Sequence, residues 1–205
     1  MAQRVGAGPW MAAAFGAALL LAVMVLAALG AGPHGTAAAL RATARLSYML
    51  FWPAYAGGAL ARLFGSRFLP LAQRARSFGL AFAAAHLVHI GLVVWLYRIS
   101  ARPPLSETMF WFFAIAAAWT YLLALLSVAR LSEAVGRSRG RILRTIAVEY
   151  IAFAFLVDFV ITPLRFGVRR PLEYLPFALL AVAGPVLRVA AMARGLQPPR
   201  RATFP

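Results

Sequence analysis

Six runs of apolar residues alternate with short polar or proline-containing breaks: Met11 to Leu29, Leu46 to Phe64, Phe78 to Tyr97, Thr108 to Ser127, Leu143 to Thr162 and Tyr174 to Met192. Each is long enough to cross about 30 Å of hydrocarbon as a helix. The pattern predicts an all-α protein, a polytopic membrane bundle of about six transmembrane helices. It reads as one domain over residues 1–197 with a short disordered cytoplasmic tail over 198–205. Pro33, the Pro103–Pro104 pair, Pro163 and Pro171 fall in breaks on one side, where helices are expected to stop. The first run follows Arg4 and ends in small residues, as a signal peptide does. It exceeds the ~7–15 apolar residues of a signal core and reads as a mature helix.

Composition agrees, with 63% hydrophobic and 13% charged residues. The net charge of +16 comes from 21 arginines, no lysine and 5 acids. In a soluble chain such basicity would suggest nucleic acid, but no reading module or stacking pattern accompanies it, so no nucleic-acid partner is expected. The arginines instead punctuate the spans, where they orient helices and meet lipid headgroups. Fourteen fall before the first span, in the second and fourth breaks and toward the tail, against seven in the other breaks. Positive flanks are retained inside, so both termini are expected in the cytoplasm. The absence of cysteine removes disulfides, thiolate metal sites and cysteine nucleophiles.

An ionisable residue inside a span is a functional candidate because the bilayer penalises it. His86 and His89 lie three residues apart near the middle of the third span and project from nearly one face. Histidines there suit a haem axial ligand, a metal or quinone contact, a proton relay, or a hydrogen bond between helices. Two histidines at this spacing cannot reach the opposite faces of one haem. His34 reads as a solvated loop residue, and Met49 and Met109 lie too near helix ends to complete an axial pair. Glu149 and Asp158, nine residues apart on the fifth span, point about 180° apart. At ~1.5 Å per residue from the cytoplasmic ends, His86 lies about 12 Å deep, Glu149 about 9 Å and Asp158 about 22 Å. Glu149 is therefore a candidate partner of His86 in a proton relay, its alternative being an ion pair with Arg144 or Arg76. Asp158 is the second relay candidate, its alternative being Arg165 or Arg98. Arg74, Arg76 and the cluster from Arg137 to Arg144 could meet an anionic ligand or lipid, besides setting topology. No nucleophile elbow, phosphate-binding loop, zinc protease motif or dinucleotide fingerprint occurs.

Arg45-Leu46-Ser47-Tyr48 with Leu50-Phe51 opens the second span, and Arg74-Ala75-Arg76-Ser77-Phe78-Gly79-Leu80 leads to His89 ten residues after the glycine. From Arg45 to Phe155 the chain resembles the ferric reductase-like transmembrane domain family. The resemblance implies a haem b with its iron on His89, with His86 an additional candidate ligand. It also implies electron transfer within a bacterial inner membrane, as the membrane component of an oxidoreductase. Electrons would come from a redox partner protein or a quinone. The fifth span departs from the family pattern. Aligned on Tyr150, Ile146 takes the place of the family's second ligand, and the further histidine would fall near Phe159. Three readings follow: a haem-carrying electron-transfer subunit, a haem-less accessory or assembly subunit, and a small proton-coupled transporter using His86, His89 and Glu149.

Overall fold

The computed structural model describes residues 6–128, 137–166 and 171–196. The arginines and tail residues outside these ranges, including Arg4, Arg130 and 198–205, lie outside the described residues. The helices are α1 (Ala7–Leu29), α2 (Pro33–Phe64), α3 (Leu69–Gln73), α4 (Ala75–Ile99), α5 (Glu107–Val128), α6 (Arg137–Leu156), α7 (Thr162–Phe166) and α8 (Pro171–Leu196). A 3-10 turn (Ser66–Phe68) precedes α3, and a π-helical turn (Val157–Ile161) joins α6 to α7. Among the described residues there is no strand.

Cross-helix contacts give the course of the chain. Trp10 packs on Phe78 at 5.4 Å and Trp95 Nε1 donates to the Ala31 carbonyl, so α1 and α4 run the same way. Thr43 meets His89 and Phe51 meets Phe82, so α2 runs against α4. Arg45 reaches Glu173, Trp52 Nε1 donates to the Leu180 carbonyl and Arg194 donates to the Leu63 carbonyl, so α2 and α8 are parallel. Tyr97 packs on Phe110 while Arg76 donates to the Ser127 carbonyl, so α4 and α5 are antiparallel. The result is an up-and-down bundle in which the start of α1, the end of α2, Arg76, Arg144 and the end of α8 share one end.

Among the described residues, five helices are long and apolar enough to cross a membrane: Ala7–Leu29, Ala75–Ile99, Glu107–Ser127, Gly140–Leu164 and Glu173–Gly195. The chain is thus a multi-pass integral membrane protein in contact with the lipid bilayer. The remaining expected span, Leu46 to Phe64, lies in α2, which runs beside the whole of the α8 span. Its interior carries Ser47, Tyr48, Trp52, Pro53, Tyr55, Gly57 and Gly58. A helix whose neighbours are other helices can carry polar and small residues that a lipid-facing one cannot.

Two packing units surround α2. In one, Ala14, Ala18 and Ala22 of α1, spaced four residues apart, meet Ala39 of α2 and Ala81, Ala85, Val88 and Leu92 of α4. Small side chains at that spacing let helix backbones approach closely. In the other, Tyr48, Phe51, Tyr55, Phe82, Phe155 and Phe159 form an aromatic core between α2, α4 and the α6 rod, the continuous run of α6, the π-turn and α7. Leu19, Leu20, Leu122, Leu125, Leu179 and Val186 project outward and are exposed. This is the orientation a bilayer requires.

Two boundaries differ from the sequence reading. The first break shrinks to Gly30–Gly32, because α2 begins at Pro33 and takes in Arg41 and Arg45, which the pattern had placed in a loop. Pro33 stands in the first helical turn, where its missing N–H costs nothing, and Thr36 ties the turn by donating to the Ala31 carbonyl at 3.2 Å. The fifth span continues past Pro163 to Phe166. Pro163 has no N–H for the Phe159 carbonyl and its ring crowds the preceding turn. The helix accommodates it by widening into the π-turn instead of stopping.

Candidate functional site

The two histidines lie on the α4 face turned to α2, their rings stacked at 5.0 Å and 14°. Thr43 Oγ1 lies 3.2 Å from Nδ1 of His89 and donates its own proton to the Ala39 carbonyl at 2.9 Å. Thr43 Oγ1 and His89 Nδ1 are thus within hydrogen-bond distance, and the Leu40 carbonyl is a backbone partner of the same ring. One turn along, the antiparallel register sets Ser47 of α2 level with His86 of α4. Ser47 Oγ and His86 Nδ1 are both buried and have no hydrogen-bond partner among the described residues. Phe82 closes this strip on one side, 5.4 Å from the His86 ring.

Across the bundle, the positions the resemblance assigns to opposing ligands hold no ligand. Ile146 is 53% exposed on the outer side of α6. Phe159 is 3% exposed, stacked on Phe177 at 5.3 Å and beside Tyr48 at 5.1 Å. Phe155 lies 4.8 Å from Tyr48 and 5.9 Å from Phe82, so aromatic side chains fill the space between α4 and the α6 rod. Parallel imidazoles on one helix cannot take the two faces of a single iron. Among the described residues no three of histidine, cysteine, aspartate and glutamate gather as a metal-binding group. The residues present do not fit a haem held across the bundle between α4 and α6.

Glu149 does not meet His86. Its Oε2 accepts from the Tyr55 hydroxyl at 2.8 Å and its Oε1 from Arg188 Nε at 2.8 Å. Arg188 closes the ring by donating to the Tyr55 carbonyl at 3.3 Å, with its guanidinium 4.7 Å above the Tyr55 ring. One carboxylate thus joins α2, α6 and α8, and its cation is neither Arg144 nor Arg76. Gly184 makes room, since a Cβ there would sit 2.9 Å from the Tyr55 ring. Each carboxylate oxygen is taken by a partner on another helix, and no direct hydrogen bond links Glu149 to either histidine among the described residues.

Asp158 sits in the π-turn within the field of Arg45. Its expected partner Arg165 has a side chain outside the described residues. Arg45 also pairs with Glu173 at 3.5 Å and lies 5.3 and 5.4 Å above the rings of Tyr174 and Phe177. Glu149 and Asp158 share no partner residue, as their spacing requires, yet both meet α2, one at Tyr55 and the other toward Arg45. The long Arg45 side chain and the widened turn at Val157 make this compatible. Met49 is 50% exposed on the outside of α2 and remote from the histidines in orientation. His34 is exposed, as expected, but stands in the first turn of α2 rather than in a loop.

Thr43, Ser47, Tyr55 and Arg188 were not foreseen as site residues. Arg188 carried a usable signal, a cation one turn inside the end of the sixth apolar run. Thr43 lay in a stretch read as loop, which hid its facing relationship to His89. No family model matches the chain, and no curated protein and no solved structure matches it either.

Proposed function

We propose that the chain is a haem-free membrane subunit of ferric reductase-like architecture, acting as an accessory or assembly component of a larger membrane complex. The observation that carries this reading is the state of the two positions that the resemblance assigns to the opposing ligand, Ile146 exposed outside the bundle and Phe159 inside the aromatic stack. The polar residues of the interior then serve helix association: Thr43 with His89 between α2 and α4, and Glu149 with Tyr55 and Arg188 among α2, α6 and α8.

A second reading is a five-coordinate haem b on His89. It is favoured by the Thr43 contact at Nδ1, which orients the imidazole as hydrogen-bonding partners orient ligating histidines. Oxidised and dithionite-reduced spectra separate the two, recorded on wild type, His86→Ala and His89→Ala purified in mild detergent from haem-supplemented cells. The accessory reading expects a colourless, folded, monodisperse protein and, from native membranes, copurification with a larger assembly. A stoichiometric b-type spectrum that disappears in His89→Ala would establish the second reading and end the first.

The arginine-rich end supports a cytoplasmic location for both termini, and the implied setting is a bacterial inner membrane. The chain has no cysteine, so a single cysteine introduced at Ala202 provides a clean probe. It should react with a membrane-impermeant maleimide only after the membrane is opened. Labelling in intact cells would reverse the orientation.

A further inference from the structure

The aromatic core and the histidine strip do not account for a cavity of about 430 Å³ between α2, α4, α5 and α6 at the arginine-rich end. It exists because α4 and α5 meet at their other ends, through Tyr97 and Phe110 at 5.6 Å. Near this end Arg76 of α4 bridges to the last turn of α5 by donating to the Ser127 carbonyl. Leu80, Phe82, Leu123, Val148 and Ile151 supply apolar walls, and Arg76 and Arg144 stand in the lining. Arg144 forms no ion pair with any described residue. No carboxylate is among the lining residues, and Glu149, beside Val148 in sequence, has both oxygens engaged by Tyr55 and Arg188. An apolar cleft at a membrane boundary, with two guanidiniums that no carboxylate among the described residues neutralises, matches one ligand chemistry, a hydrocarbon chain ending in an anion. Basic pockets between transmembrane helices hold lipid headgroups in this way, and a volume of this size lies within the range of small-ligand sites.

We infer that this cavity binds a single anionic amphiphile, its headgroup held by Arg76 and Arg144 and its chain lying against the apolar walls between α4 and α5. The site uses neither histidine and shares only the Phe82 wall with their strip, so its occupancy does not depend on whether haem is bound. Two charges near the boundary set the scale: loss of one arginine should weaken binding about five-fold, and of both about thirty-fold.

The full chain in detergent, titrated with phosphatidylglycerol or with phosphatidylcholine and observed by native mass spectrometry, tests the inference. The expected result is saturation at one phosphatidylglycerol with little phosphatidylcholine binding. Arg76→Gln/Arg144→Gln should abolish the preference. Arg67→Gln/Arg194→Gln removes the same charge from the same end, outside the cavity, and should leave it intact. Ala124→Trp, which fills the cavity without touching its charge, should also block the lipid. Inorganic phosphate should not displace it. The inference is overturned by equal binding of the two lipids, by equal loss in both arginine pairs, by full binding in Ala124→Trp, or by displacement with phosphate alone.

Discussion

Arg188→Met should destabilise the bundle by about 2–3 kcal/mol, and the paired change Glu149→Gln/Arg188→Met should recover most of that loss. The single substitution leaves the partly exposed Glu149 carboxylate with the Tyr55 hydroxyl as its one remaining protein partner. Removing one partner of a fully buried pair costs roughly 3–5 kcal/mol. The Arg188 and Glu149 side chains are 28% and 42% exposed, so solvent at the arginine-rich end lowers the figure. In the double variant neither charge remains. The amide that replaces the Glu149 carboxylate can still accept from Tyr55, while the methionine keeps much of the packing volume. The readout is the midpoint of unfolding in mixed micelles, followed by far-ultraviolet circular dichroism. Losses in the double variant as large as in Arg188→Met would show that the pair is not a coupled unit. The three helices would then be held by their apolar contacts alone.

Gly35→Ala should cost about 3 kcal/mol, at the upper end of overpacking effects, and most of the protein should be lost to aggregation on extraction. A Cβ on Gly35 would lie 1.8 Å from the Gly30 carbonyl oxygen and 3.0 Å from the Leu29 carbonyl oxygen. These are backbone atoms at the end of α1, so no rotamer change relieves the clash and the α1–α2 turn itself must open. Gly30 has φ +82°, a conformation that glycine adopts without steric cost, which is how three residues reverse the chain. Gly32→Ala is the control, since Gly32 has φ −72° and nothing within 4 Å of the added atom. It should be neutral to within about 0.5 kcal/mol. A Gly35→Ala protein as stable as Gly32→Ala would mean that the tight turn is not required for assembly.

The contrast between these two sites shows where sequence reasoning reaches. Gly35 belongs to a break whose existence was evident from Pro33 and the neighbouring glycines, but the three-residue turn was not. Hydropathy does not separate a loop from a helix whose surface is covered by other helices. The same blindness hid the first turns of α2, whose Thr36, Ala39 and Thr43 are fully buried against neighbours. It also leaves α2 as the one long helix among the described residues outside the five that are apolar enough to cross a membrane, while it packs against α1, α4, α6 and α8.

The sequence by itself determined the fold class, five of the spans in composition as well as helicity, and the gathering of arginines toward one end. It also set the shared face of His86 and His89 and the separation of Glu149 from Asp158. These follow from transfer free energy and helical periodicity, which act through a residue's own type and its near neighbours in the chain. Only the tertiary structure decided that Glu149 takes Arg188 and Tyr55, that Thr43 orients His89, that Ile146 faces out while Phe159 fills the core, and that a cavity opens beside Arg76 and Arg144. Each of these depends on which helices touch and at what register. A carboxylate inside a bundle pairs with whichever cation the packing delivers, and packing of side chains from four helices is not encoded in the period of any one of them.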